Sequence, residues 1–304
     1  MSNLLQVMNE WLEGGVAMGG QLVVAVASND ILPADAYLPD TSAKAGTWFL
    51  SPEQHFVELV AFSAVYLAVV AWGCSRIGKK AVGPRLKPVH GAVRLACAGT
   101  GLLLFAILVR TVGWKMAKGS LAFLLQPCHI FSLVLVIVLM APRSSLGVVL
   151  FNMHLFVQWA PWMALLMPDL RTYTPGSLEL YSFFVQHIII AGAPLVLMVT
   201  GIIPVLPRRG AWMAFGFGWW AMYQVWVLGF GSLLTGVNLN YMLAPPPVIE
   251  STSIRAIADH ALYYRWFTQV ATSIFAAVTG IALPALLAPR RRWRKRSRPH
   301  MKAA

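Results

Sequence analysis

Charge is what this sequence has least of. Of its 304 residues only 12% are Asp, Glu, Lys or Arg, where a soluble domain carries roughly 25%. Acids are scarcer still, 11 against 24 basic residues, for a net charge of +13. Only three cysteines occur, Cys74, Cys97 and Cys128. They form neither a disulfide framework nor CxxC metal spacing. No repeat of 20–50 residues is present, so a solenoid or an internally duplicated bundle is not indicated. What fills the space is apolar: 58% of residues are hydrophobic and the mean hydropathy is +0.66. Such a chain faces lipid over most of its length and reads as an all-α, multi-pass integral membrane protein.

The basic excess does not point to nucleic acid. It is concentrated in loops and in the tail PRRRWRKRSRPHMK, where flanking charge sets topology and meets anionic headgroups. No short run of basic, apolar and small residues opens the chain, so no cleavable signal is expected.

Apolar runs near 20 residues predict seven spans, about 56–75, 91–112, 120–141, 146–167, 178–205, 211–236 and 261–288. The organisation is then a lumenal or interfacial segment 1–55, a transmembrane domain 56–288 and a basic cytoplasmic tail 289–304. The opening MSNLLQVMNEWLEGGVAMGG reads as a short amphipathic piece. With seven spans, Arg76, Lys79, Lys80, Arg85, Lys87, Arg143, Arg208, Arg209 and the tail share one side. Asp30, Asp35, Asp40, Glu53, Asp169, Glu250 and Asp259 share the other. That asymmetry places the N-terminus outside or in a lumen and the C-terminus in the cytoplasm. Lys115 and Lys118, in the short second loop, are the exception.

Ionisable groups inside spans are functional candidates by default. Here they are Glu58, Cys128, His129, His154, Glu179, His187 and Arg265, with Gln158, Gln186, Asn238 and Asn240 as uncharged companions. At about 1.5 Å per residue, Cys128 lies roughly 12 Å from the start of the third span and His187 roughly 13 Å from the start of the fifth. Both starts are on the outer face, so a thiol and an imidazole meet at one depth. A thiol beside a base is a nucleophile, and a Cys–His pair can take an acyl group as a thioester and pass it to water or to another hydroxyl. Pro127 is expected to loosen the helix around Cys128.

Several residues also have structural readings. His154 and Gln158 can pair between helices, Asn238 and Asn240 can cap the sixth helix, and Glu179 can sit at the interface. Arg265 can bridge to Glu58 or hold a lipid phosphate. His129, adjacent to Cys128, points about 100° round the helix from it.

The segments WLEGG, QPCH, NMH, LELYSFFVQH, NLNYML and YYRW carry a resemblance to the transmembrane protein 164 family of eukaryotic membrane proteins. The resemblance implies a membrane acyltransferase in phospholipid metabolism. It moves a fatty acyl chain, typically polyunsaturated, from a phosphatidylcholine-like donor to an ether lysophosphatidylethanolamine-like acceptor. Plasmalogen-type lipids and a link to ferroptosis follow from that activity. It implies Cys128 as nucleophile and His187 as its partner, with His129, His154, Asn238, Asn240, Arg265 and Glu58 supporting or binding substrate. No metal or other cofactor is expected. The expected partners are phospholipid, lysophospholipid and the bilayer, and the expected location is the endoplasmic reticulum or another endomembrane, although the end RSRPHMKAA is not a KDEL-type signal.

Other readings stay open on the residues alone. They are a lipid hydrolase with the same Cys/His pair, a haem protein using His129, His154 and His187, a zinc-dependent seven-helix amidase, and a receptor or transporter that binds without reacting.

Overall fold

The computed structural model describes residues 2–27, 50–77, 89–170, 173–243 and 264–289, and every regular element among them is helical. In chain order these are α1 (Ser2–Val26), α2 (Pro52–Ile77), α3 (Gly91–Ala117), a 3-10 turn (Leu121–Leu125), α4 (Pro127–Met140), α5 (Ser145–His154), α6 (Trp159–Leu166) and α7 (Leu178–Val199). They are followed by α8 (Arg209–Met222), which runs through a π-helical stretch (Tyr223–Gly229) into α9 (Phe230–Thr235), and by α10 (Tyr264–Ala277), which runs through a second π stretch (Val278–Ala282) into α11 (Leu283–Leu287). Outside the described residues lie the basic tail beyond Pro289, most of the first basic loop, and the acids Asp30, Asp35, Asp40, Glu250 and Asp259.

Each of the seven expected spans overlaps helix among the described residues; the fifth runs past Val199, and 261–263 of the seventh lie outside those residues. Among the described residues four helices are long and apolar enough to cross a membrane: Pro52–Ile77, Gly91–Ala117, Leu178–Val199 and Tyr264–Leu287. The pair Ser145–His154 and Trp159–Leu166, bent by 49°, makes a fifth if taken as one span. The third and sixth expected spans are built from shorter pieces and fall outside that count. Leu95, Val109, Ile188, Val196 and Leu286 stand exposed on the outside of the bundle, a surface suited to hydrocarbon rather than water.

Two boundaries differ from expectation in ways that matter. The second span continues to Ala117, which moves Lys115 from the loop onto the helix. The third span is interrupted at Gln126, whose φ of −57° and ψ of 143° break the helix before Pro127. A proline forces its predecessor out of the α region and is itself favoured at the first helical position. Pro127 therefore starts α4 rather than loosening it. The N-terminal segment is also longer than the short piece expected: α1 spans 25 residues and packs along α2.

Small residues set the closest approaches, as is common between membrane helices. A Cβ on Gly73 of α2 would lie 2.7 Å from the Phe215 backbone nitrogen of α8. One on Gly216 would lie 3.0 Å from Met153 Cα of α5.

Prolines inside helices leave carbonyls without donors, and other helices supply them. Pro194 in α7 cannot donate to the Ile190 carbonyl, and Gln158 Nε2 donates to it instead at 3.1 Å. Pro284 cannot donate to the Gly280 carbonyl, and Arg209 Nε donates there at 2.7 Å.

The bundle has two unlike ends. At one, arginines bind the carbonyls of helix ends and turns: Arg143 donates to Ile202, Arg208 to Arg76 and Arg209 to Gly280, each at 2.7 Å. Asn152, fully buried, accepts from Arg209 at 2.8 Å and from the Leu206 N–H at 2.9 Å. At the other end a cavity opens.

Candidate functional site: a polar cluster in an apolar cavity

The cavity has a volume of about 660 Å³ and a predominantly apolar lining. That lies within the roughly 300–1,000 Å³ typical of small-molecule sites. Its walls come from the starts of α2, α4, α7 and α10 and from the ends of α3, α6 and the α8–α9 segment.

Seven of the eight predicted site residues line this cavity: Cys128, His187, His129, Asn238, Asn240, Arg265 and Glu58. His154 does not. It is buried behind Phe131, whose ring meets it edge-on at 5.7 Å. Neither of its ring nitrogens has a hydrogen-bond partner among the described residues, with Gln158 and the Ile190 carbonyl nearby. Of His154 and Gln158, Gln158 is the one that bonds between helices. The helix turns away after His154, and the Gln158 amide is drawn to the Ile190 and Ala191 carbonyls of α7.

Cys128 is the second residue of α4, not a residue in mid-helix. Its thiol sits at the start of the helix, where the dipole is positive, and the His129 N–H is taken by the Gln126 carbonyl at 3.0 Å. The depth count from Ser120 does not hold, because the chain there is a 3-10 turn followed by a break. Cys128 and His187 share the cavity wall, and a side chain ties their segments. Gln186, the neighbour of His187 on α7, donates from Nε2 to the Cys128 carbonyl at 3.2 Å, to Ser132 Oγ at 2.9 Å and toward His129 Nδ1 at 3.3 Å. Ser132 Oγ in turn donates to the Cys128 carbonyl at 2.7 Å. One amide thus ties the QPCH turn to the helix that carries His187. It also reaches His129 despite the 100° offset, since it engages the backbone of Cys128 rather than its thiol.

His187 is 2% exposed. Its Nδ1 lies 2.8 Å from the Phe183 carbonyl. A carbonyl only accepts, so Nδ1 carries the proton and Nε2 keeps its lone pair. Phe183 also packs against the ring, with centroids 4.1 Å apart, which fixes its orientation.

Arg265 is fully committed. It donates to Glu58 at 2.8 Å, to His55 Nδ1 at 2.9 Å, to the Tyr264 hydroxyl at 3.2 Å and to the Met242 carbonyl. Of the two roles open to it, the bridge to Glu58 is the one formed. Asn238 does not cap the sixth helix. Gly236, at a φ of 68°, ends that helix, and Asn238 Oδ1 instead accepts from the Leu243 N–H at 2.8 Å. Asn240 occupies the left-handed region, at a φ of 48°, which Asn tolerates better than most residues. Glu179, at the mouth, pairs with Lys118.

Sequence reasoning missed several residues that line the cavity or brace it: Lys115, Ser132, His55, Gln224 and Gln269. Tyr66 donates to Gln269 Oε1 at 2.6 Å. Gln224 lies in the π-helical stretch, a feature frequent at functional sites. The polar residues left over in apolar spans were the available signal. No three His, Cys, Asp or Glu side chains converge as metal donors among the described residues.

Comparison with known proteins places these residues in context. The TMEM164 family pattern matches residues 49–283. The chain is similar to the transmembrane protein 164 homolog of Dictyostelium discoideum, 29% identical over 211 residues, which cover 67% of this chain and 75% of that protein. No solved structure matches.

Proposed function

The chain belongs to the TMEM164 family of membrane proteins, and from that premise we propose that it is a phospholipid acyltransferase working through a thioester on Cys128. The observation that carries the reading is the fixed tautomer of His187. Its Nδ1–H is spent on the Phe183 carbonyl, so the Nε2 lone pair is the one available in the cavity that Cys128 shares.

In the proposed reaction His187 Nε2 takes the thiol proton as Cys128 Sγ attacks an ester carbonyl of the donor phospholipid. The tetrahedral intermediate collapses, the C–O bond to glycerol breaks, and the departing alkoxide takes the proton from His187. Cys128 is left as a thioester and the donor leaves as a lysophospholipid. The hydroxyl of an acceptor lysophospholipid, ether-linked in the preferred case, then gives its proton to His187 and attacks the thioester. Sγ leaves and recovers that proton. The start of α4, where the helix dipole is positive, suits a developing oxyanion. The apolar lining keeps water scarce, which favours transfer over hydrolysis.

This reading places the cavity on the lumenal or outer side of an endomembrane such as the endoplasmic reticulum, with the arginine-bound end in the cytoplasm and seven crossings in all. The test is direct. Purified protein incubated with acyl-labelled phosphatidylcholine is expected to acquire a hydroxylamine-sensitive label that Cys128→Ala abolishes. Equal labelling of Cys128→Ala and wild type would overturn the mechanism. Normal labelling of His187→Ala would overturn the base assignment alone.

A further inference from the structure

Lys115 is a buried cation at this site whose ammonium has no partner among the described residues. It sits near the end of α3, 9% exposed, and lines the cavity. Its Nζ lies 5.5 Å from the centre of the Phe123 ring. The ammonium has no hydrogen bond or ion pair among the described residues, while the Lys115 carbonyl accepts from the Ser120 N–H at 2.8 Å. The charged and titratable groups that face it are Glu179, Lys118 and Cys128, with His129 also close. Glu179, the carboxylate that could neutralise it, is taken by Lys118 at the surface.

Burying an ammonium without a partner costs several kcal/mol. The same cavity shows what a balanced buried cation looks like: Arg265 has a carboxylate, an imidazole, a hydroxyl and a carbonyl around it. Lys115 has an aromatic face and open space. The cavity wall therefore carries a buried ammonium with no partner at bonding distance, facing only the already paired Glu179. Lysine suits such a task. It is a point charge on a flexible stem, able to follow a phosphate without imposing the two-pronged geometry of arginine.

We propose that Lys115 is a phosphate anchor: its ammonium binds the phosphodiester of a phospholipid and so holds that lipid's ester bonds at the level of Cys128. The identity of the anion as a lipid headgroup rests on the acyl-transfer reading, whereas the anion site itself rests on the burial and the missing partner. Each ester of a glycerophospholipid is only a few bonds from its phosphate. One fixed point at Lys115 and chains in the apolar cavity define which carbonyl reaches the thiol. The same anchor explains the departure from the charge asymmetry of the loops, since Lys115 serves the cavity rather than topology.

The experiment measures binding and needs no turnover. Full-length Cys128→Ala protein is photolabelled with two probes of identical acyl chains, a photoactivatable phosphatidylcholine and a photoactivatable diacylglycerol. Lys115→Gln is expected to lower phosphatidylcholine labelling by about tenfold, the worth of one charge-assisted hydrogen bond, and to leave diacylglycerol labelling unchanged. Lys115→Arg is expected to retain most of the phosphatidylcholine labelling, which also shows that the position tolerates substitution. Unchanged phosphatidylcholine labelling in Lys115→Gln, or equal loss of both probes, would overturn the anchor. Displacement of phosphatidylcholine by millimolar inorganic phosphate would assign the site to free phosphate and overturn the lipid assignment. If wild-type protein forms no thioester yet Lys115→Gln still separates the two probes, the anchor stands and the acyl-transfer reading fails.

Discussion

Gln158 provides the hydrogen-bond donor that Pro194 lacks. The proline leaves the Ile190 carbonyl unpaired in the middle of α7, and the Gln158 amide reaches across from the start of α6 to fill it at 3.1 Å. The bend between α5 and α6 and the proline in α7 are therefore one feature: the chain turns after His154 and brings a side-chain amide to the place where a backbone amide is missing.

The pairing predicts a coupled pair of substitutions. Gln158→Leu alone leaves a buried carbonyl unsatisfied and is expected to cost about 1–3 kcal/mol. In a Pro194→Ala background the helix supplies its own donor, so the same change costs less. Thermal unfolding in detergent of the two single variants and the double variant gives the coupling. Additive losses would refute the assignment.

A second prediction concerns Glu58 and Arg265. Removing either charge strands the other in a buried site, and Glu58→Gln or Arg265→Met is expected to cost about 3–5 kcal/mol. Replacing both together, Glu58→Leu with Arg265→Met, is expected to cost less than either single change. Recovery of folded protein on size-exclusion chromatography distinguishes these outcomes.

Gly73 and Gly99 form a matched comparison. Gly73→Ala pushes a methyl against the Phe215 nitrogen at 2.7 Å and the Ala211 oxygen at 2.9 Å, and backbone cannot rotate aside, so about 1–3 kcal/mol of destabilisation is expected. Gly99 has open space around it. There the same substitution is expected to be neutral or to stabilise by up to about 1 kcal/mol through helix propensity. Melting temperatures of the two variants would move in different directions or by clearly different amounts.

Gln186 gives a prediction on chemistry. Its amide holds the Cys128 turn against α7, so Gln186→Leu is expected to slow acylation of Cys128 by about 10–100-fold, the scale of effect that loss of positioning produces. Gln186→Glu, which keeps acceptors but not the donor, is expected to be no better. A rate within twofold of wild type in either variant would remove the positioning role.

The sequence made much of this legible and concealed the rest for identifiable reasons. Apolar run length located every α-helix described from Pro52 onward, because a span must be long and uncharged. The cost of burying ionisable groups marked Glu58, Cys128, His129, His187 and Arg265, and all line the cavity. Counting rise per residue brought Cys128 and His187 together for a reason that does not survive, since the stretch before Cys128 is not α-helix. Lys115 was hidden by its own stem: a long aliphatic side chain near a helix end reads as loop until the helix is seen to continue. His154 was marked by the same burial rule as the others and lies behind Phe131. Burial can be read from sequence; which way a side chain faces round a helix cannot.

The bond from Arg265 to Glu58 joins residues 207 positions apart. No shorter stretch of the chain contains the cavity, since its first wall begins at His55 and its last at Tyr264. During synthesis the thiol of Cys128 and the imidazole of His187 are made long before the helix that closes the chamber around them. A chain that stops short of Arg265 has both side chains without the enclosure. The order of translation thus withholds the finished pocket until nearly all of the protein is in place.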